Sequence, residues 1–311
     1  MAISASMVKE LREMSGAGMM DCKKALTETD GDFDKALEFL REKGLATAQK
    51  KAGRIAAEGI VATTVVNDGK CAAIVEVNAE TDFVAKNDVF QGYVGEVVAQ
   101  IVNSDAKDVE SFKEEKWALD TSMTVGEKLA AMIAKIGENM NIRRFEKLTS
   151  DGMIVSYIHA GGKIGVLVEA DTDGSGAEVE ECLKNVAMQV AAMNPKYVST
   201  SEVSEEYKAH ELEILVAQAK NDHKNASKPD EIIEKMVQGR LNKELKEVCL
   251  LEQEYVKAEN KETVAKYVEA VAKQAGCKLA IKKFVRFETG EGLEKKNEDF
   301  AAEVAAQMAG N

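Results

Sequence analysis

At 311 residues the chain can bury a sizeable core, and its length suits two or three domains. A net charge of −13, from 41 basic and 54 acidic side chains, argues against non-specific nucleic-acid binding, which needs Lys and Arg against phosphate. Two prolines, 45% hydrophobic residues and no apolar run of spanning length argue against long disordered tracts and membrane segments. The five cysteines (22, 71, 182, 249, 277) are scattered without a Cys-x-x-Cys pair, as in a reduced, cytoplasmic protein. Met1 to Ser6 reads as the approach to a helix and not as a signal peptide.

Residues 4 to 43 carry the pattern of three short helices. Ser4 caps the first, with Val8, Leu11 and Met14 on one stripe, and Gly16-Ala17-Gly18 breaks it. Met19, Cys22, Ala25 and Leu26 mark the second, and Asp30-Gly31-Asp32 turns the chain. Phe33, Ala36, Leu37 and Leu40 mark the third, which is expected to stop before Gly44. Adjacent helical residues cannot share a face, so one of Met19 and Met20 is expected in the core and the other free for a partner. Residues 43 to 59, with Lys50, Lys51 and Arg54, read as a helical or partly ordered linker with a solvated basic face.

Cys71 to Val77 is a short apolar run, the pattern of a buried strand. Val89, Tyr93, Val97 and Ile101, with Phe90, Val94 and Val98 alongside, outline an amphipathic helix. Between them Thr81-Asp82-Phe83-Val84-Ala85-Lys86-Asn87 forms a strand-to-helix turn that carries a ring beside a carboxylate. Either Phe83 folds into the core while Asp82 caps the helix, or the ring stands at a loop tip as an anchor for another protein.

An internal repeat follows. Gly69-Lys70 and Ile74-Val75-Glu76 recur as Gly162-Lys163 and Leu167-Val168-Glu169, an offset of 93 residues. Thr124-Val125, Gly137 and Ile142-Arg143-Arg144-Phe145 recur as Thr263-Val264, Gly276 and Ile281-Lys282-Lys283-Phe284, an offset of 139. Each half therefore reads as a hairpin, two helices and a closing strand. The offsets differ by 46 residues, so the second half holds an insertion within about 196–262. There Leu212, Leu215, Val216 and Ala219, then Ile232, Ile233, Met236, Val237, Leu241 and Leu245, stripe two helices, the second starting near Pro229. This helical hairpin either satisfies itself or leaves a surface for dimerisation or docking. After Phe287, Glu288-Thr289-Gly290-Glu291-Gly292 turns into a terminal helix with Phe300, Val304 and Met308 on one side.

Neither Gly-x-Gly-x-x-Gly nor Gly-Lys-Ser/Thr is present, which argues against an NTPase. Three histidines (159, 210, 223) are too few and too scattered for a metal or nucleophile site, and Glu80 with Asp82 lacks a nucleophile or oxyanion donor nearby. No enzyme and no cofactor are expected. His159 ends the strand from Met153 and leads into Ala160-Gly161-Gly162, which either closes a turn or admits close backbone approach by a partner.

Four stretches taken together resemble one family: Gly16-Ala17-Gly18-Met19-Met20-Asp21-Cys22-Lys23-Lys24-Ala25-Leu26, Thr81 to Asn87, His159 to Val168, and Phe284 to Gly292. In this order they resemble bacterial elongation factor Ts, the guanine-nucleotide exchange factors of the GTPase elongation factor Tu. The resemblance implies an α+β protein. A ubiquitin-associated-like three-helix domain at 1–53 would precede a duplicated antiparallel-sheet and helix core, with halves at 54–148 and 149–287. The hairpin at about 196–262 would be the family's coiled coil, and 288–311 a C-terminal module. It implies that Thr81, Asp82, Phe83 and Val84 enter elongation factor Tu and disturb the magnesium and phosphate site. Leu11, Met19, Met20, His159, Ala160, Gly161 and Gly162 would make further contacts to the GTPase. Lys163 stands where many family members have Arg, which keeps the charge and gives up a bidentate contact. The implied partner is the GTPase, with no direct nucleic acid and no membrane. A homodimer or two-plus-two complex through the hairpin is left open, and the alternative function is a non-enzymatic adaptor using the three-helix domain.

Overall fold

The computed structural model describes residues 3–222 and 229–294. Three helices lead: α1 (Ala5–Ser15), α2 (Met19–Glu28) and α3 (Phe33–Lys51). Ser4 caps α1 by accepting from the Met7 N–H, Gly16 closes it at φ 66°, and Asp32 caps α3 through the Lys35 N–H. Val8, Leu11, Cys22, Ala25, Leu26 and Ala36 form their shared core. Two expectations are corrected here. Met19 and Met20 are both exposed, at 55% and 73%, because the buried face of α2 begins one turn later at Cys22. Gly44 does not end α3. It lies where α3 crosses a later helix, with Ala130 and Ala131 backbone atoms 3.7–3.8 Å from where its Cβ would stand.

The first half continues with β1 (Glu58–Val66), β2 (Cys71–Ala79), the one-turn α4 (Asp82–Ala85) and α5 (Asp88–Ile101). Next come α6 (Val109–Glu114), a small hairpin of β3 (Lys116–Trp117) and β4 (Asp120–Thr124), α7 (Val125–Ile136) and β5 (Met140–Thr149). The second half follows with β6 (Met153–His159), β7 (Ile164–Thr172), α8 (Ala177–Met193), α9 (Glu205–Asn221), α10 (Asp230–Val248), α11 (Val264–Ala275) and β8 (Leu279–Glu288). Both main sheets are antiparallel, ordered β1-β2-β5 and β6-β7-β8. The fold is α+β.

The repeat extends to irregularities. β2 carries a bulge between Glu76 and Val77, and β7 carries one between Glu169 and Ala170, 93 residues on. Alternate side chains explain the layers. Ala73, Val75 and Val77 of β2 face α5 and α7, while Ala72 and Ile74 face the other sheet. Val166, Val168 and Ala170 of β7 face α8 and α11, while Leu167 meets Ile74 and Val61 in the layer between the sheets. Both faces of each central strand are buried, so each reads as a continuous apolar run and not as an alternation.

The two hairpin tips are exchanged. The Ile154 N–H at the start of β6 donates to the Gly69 carbonyl at 2.8 Å, and the Val61 N–H of β1 donates to the Gly162 carbonyl at 2.7 Å. Residue 61 shifted by 93 is 154, and 69 shifted by 93 is 162, so the two bonds are related by the repeat.

The α9–α10 hairpin closes on itself. Leu215, Ala219, Ile233, Val237, Leu241 and Leu245 are buried in one cluster with Val203 and Cys249 at its base. Of the two uses left open for this stripe, packing of the hairpin on itself is the one these side chains show. Ile232 points outward instead. The expected terminal helix with Phe300, Val304 and Met308 lies outside the described residues, as does His223. No helix among the described residues is long and apolar enough to cross a membrane.

Candidate functional site

The strand-to-helix turn after β2 is built to hold one ring in solvent. Thr81 caps α4: its hydroxyl accepts from the Val84 N–H at 3.3 Å. Ala85 is buried and Val84 packs on the first-half core, so the inner side of this single turn is anchored. Asn87 then caps α5 by accepting from the Val89 and Phe90 N–H groups. With its neighbours fixed inward, Phe83 is 81% exposed, the most exposed of the large apolar side chains described. Of the two readings of this turn, the ring at a loop tip is the one the geometry carries, and Thr81, not Asp82, is the cap.

Asp82 binds Lys86 at 2.7 Å, and that bond, with the nearby charge of Lys163, holds its carboxyl below the usual carboxylate range. Lys163 belongs to the β6–β7 tip and pairs with Glu58 of β1 at 2.5 Å. Glu58 lies opposite Ala79 in the β1–β2 ladder, directly before the turn. The second hairpin tip and the Phe83 turn thus meet at one end of the two sheets.

In that tip Ala160, Gly161 and Gly162 take successive left-handed conformations, φ 49°, 66° and 98°. His159 is exposed and its Nδ1 lies 3.0 Å from the Tyr157 hydroxyl. Gly161 faces open space, but a Cβ on Gly162 would stand 2.9 Å from the Ile60 Cβ. The close approach that glycine allows at 162 is made by this chain's own β1, and Gly162 is buried. His159, Ala160 and Gly161 are the outward part of the tip.

The N-terminal helices reach the same region. Gly16 lies beside Lys135 in the last turn of α7, and Lys51 donates to the Gly137 carbonyl. Leu11 is 0% exposed at the centre of the three-helix core, so the expected partner contact there is corrected: it supports the helices from within.

Three groups of residues brace this end; the sequence does not single out Glu138 or Asn139, and it marks Glu80 and Glu76 without this role. Glu138, after α7, accepts from the Thr81 N–H at 3.0 Å and the Thr81 hydroxyl at 2.7 Å. Glu80 accepts from the Asn139 N–H at 2.6 Å, and the Asn139 amide donates to the Arg54 carbonyl at 2.8 Å. Glu76, fully buried in β2, receives Arg143 at 3.0 and 3.1 Å, Arg144 at 2.6 Å, Asn78 at 3.0 Å and the Gly290 N–H at 2.8 Å. Burial raises its pKa, and these donors outweigh that and bring it below the usual value. The signal was a repeated acid, Glu76 and Glu169, inside otherwise apolar strands: a carboxylate there must be paired. Glu169 is likewise buried and binds Lys282 at 2.8 Å. Glu76 also ties in the C-terminal turn, where Thr289 donates to the Lys163 carbonyl through its N–H and to the Gly162 carbonyl through its hydroxyl.

Among the described residues no group of three or more His, Cys, Asp or Glu is arranged to hold a metal, and all five cysteines are free thiols. The site offers an exposed ring, a carboxylate with a lowered pKa and braced backbone.

The model of the family described as Elongation factor TS matches residues 80–291. An elongation factor Ts of Clostridium novyi is 55% identical over 307 residues, covering 98% of this chain and 99% of that protein. One from Clostridioides difficile is 54% identical over 306 residues, with the same coverage. Another, from Clostridium perfringens, is 54% identical over 304 residues, covering 97% of this chain and 98% of its own. With more than half of its residues identical to such relatives along nearly its whole length, the chain belongs to the elongation factor Ts family of translation elongation factors.

Proposed function

We propose that this chain binds the GDP form of elongation factor Tu and speeds GDP release by inserting the Phe83 turn beside the partner's nucleotide site. The observation that carries this reading is the 81% exposed ring on a turn whose inner side is anchored. A ring of this kind gains its burial only in a complex, which suits it to act as a wedge. Asp82 enters with it as an anion and disturbs the groups around the partner's magnesium. Weaker charge compensation of the phosphates then loosens the nucleotide.

Exchange of this kind is a linkage effect. The factor weakens nucleotide binding by the same ratio by which nucleotide weakens binding of the factor. Each tenfold of loosening needs about 1.4 kcal/mol of contact made only in the nucleotide-free complex. Several decades are beyond one ring, so Met19 and Met20 on α2 and His159, Ala160 and Gly161 at the β6–β7 tip hold the GTPase while the turn acts. The chain performs no catalytic chemistry and needs no cofactor for this role. Release of a fluorescent GDP from elongation factor Tu, followed with and without this chain, tests the reading. Acceleration that saturates with factor is expected, and a release rate independent of the factor would refute it.

A further inference from the structure

The repeat supplies an internal control for the braces around Phe83. In the first half Glu80 accepts from the Asn139 N–H at 2.6 Å. In the second half the corresponding residues, Asp173 and Lys278, make the same bond at 2.7 Å. That brace joins the end of the central strand to the start of the closing strand in both halves, so it belongs to the architecture of the repeat.

The neighbouring bonds do not repeat. Thr81 and Glu138 correspond to Gly174 and Cys277, which pack without a hydrogen bond; a Cβ on Gly174 would stand 2.7 Å from the Cys277 Sγ. The second half has no one-turn helix after its central strand, and Gly176 starts α8 with no side-chain cap. Only the half that presents an exposed ring has a carboxylate holding both donors of the residue two places before it.

We infer that Glu138 is a positioning residue for exchange, whose two bonds to Thr81 aim the Phe83 turn before the partner arrives. This rests on the reading of Phe83 as the acting group. A hydroxyl has one proton and two lone pairs. Committing the Thr81 proton to Glu138 Oε1 directs a lone pair toward the Val84 N–H, so one carboxylate fixes both the entry and the cap of α4. A four-residue helix cannot hold itself in water, since its few internal bonds do not offset the entropy of ordering it. Without Glu138 the ring would remain exposed but would sample several directions, and the partner would have to order it on binding.

The test is saturation kinetics of fluorescent GDP release from elongation factor Tu with full-length Glu138→Ala, Phe83→Ala and the double variant. Glu138→Ala is expected to lower the saturating rate about tenfold or more, equivalent to about 1.4 kcal/mol. The half-saturating concentration should move less than about threefold, because docking contacts lie elsewhere. Adding Glu138→Ala to Phe83→Ala should cause no further loss, since there is no ring left to aim. Multiplying losses in the double variant, or an unchanged saturating rate in Glu138→Ala beside a slowed Phe83→Ala, overturns the inference and leaves the wedge standing. Full activity of Phe83→Ala overturns the wedge reading, and the inference with it. If the alanine chain does not fold, Glu138→Gln replaces it: the isosteric amide keeps one acceptor oxygen for two donors, and the same criteria apply.

Discussion

Replacing Glu76 with Gln should destabilise the protein at neutral pH and leave it nearly indistinguishable in acid. Glu76 is fully buried and accepts five hydrogen bonds, three of them from Arg143 and Arg144. Removing one partner of a buried ion pair costs about 3–5 kcal/mol when the other is left stranded. Here the two arginine side chains are 21% and 31% exposed and can reach water, so the lower end applies. A weakened bond at the buried Gly290 N–H adds to this, and a total of about 3 kcal/mol is expected. For a chain of 311 residues that is about 4–5 °C in Tm. The pH dependence follows from the direction of the shift. The folded pKa lies below the ordinary value of 4.5, so the contribution is complete above that value. It is lost as pH falls from there through the folded pKa. Melts of both proteins at pH 7 and at several values below 4.5 check this, with amide exchange at Gly290 as the local readout. Equal Tm values at pH 7, or a gap that stays constant into strong acid, would refute the assignment.

Gly44→Ala should raise stability by about 0.5–1 kcal/mol, since its Cβ would make ordinary contacts with α7 while the helix propensity improves; a lower Tm would contradict this. Gly162→Ala should be more damaging than Gly161→Ala in thermal melts, because only the former meets Ile60 in addition to the left-handed φ. Replacing residues 205–248 by a short Gly/Ser link should leave the second-half core folded, because the hairpin stripe forms its own cluster. Circular dichroism and a retained cooperative melt check this, and an unfolded product would show that the hairpin completes that core.

The elements easiest to read in the sequence were those with a strong local period or a repeated neighbour. The β2 and β7 runs, the α5 stripe and the closing strands all announced themselves in this way, and the 93- and 139-residue offsets carried the architecture. The exceptions have a common cause: a residue was read within its own segment when a distant segment decided its role. Gly44 carries the signature of a helix end, and α7 turns it into a packing site. Met19 looked half committed to a core that starts at Cys22. Gly162 has the freedom that a partner could use, and β1 uses it. Leu215 and Leu241 stripe two helices in a way that fits either an outside surface or each other, and the structure buries both in one cluster. For the candidate site, Thr81 to Val84 stood out through an aromatic in a turn. Glu138 did not, because nothing in its own neighbourhood distinguishes it from a surface acid; its part depends on Thr81, 57 residues away.

If Phe83 acts on a partner and not on its own fold, its removal should spare stability and slow exchange. Phe83→Ala measures both at once. A surface substitution at an 81% exposed side chain should shift stability by no more than about 0.5 kcal/mol, so the thermal melt should superpose on that of the parent. In stopped flow with elongation factor Tu carrying a fluorescent GDP, the same chain should lose at least about tenfold of the saturating release rate, about 1.4 kcal/mol of differential contact. A parental release rate with an unchanged melt would contradict the claim, and so would a lowered melt in which the rate loss matches the unfolded fraction.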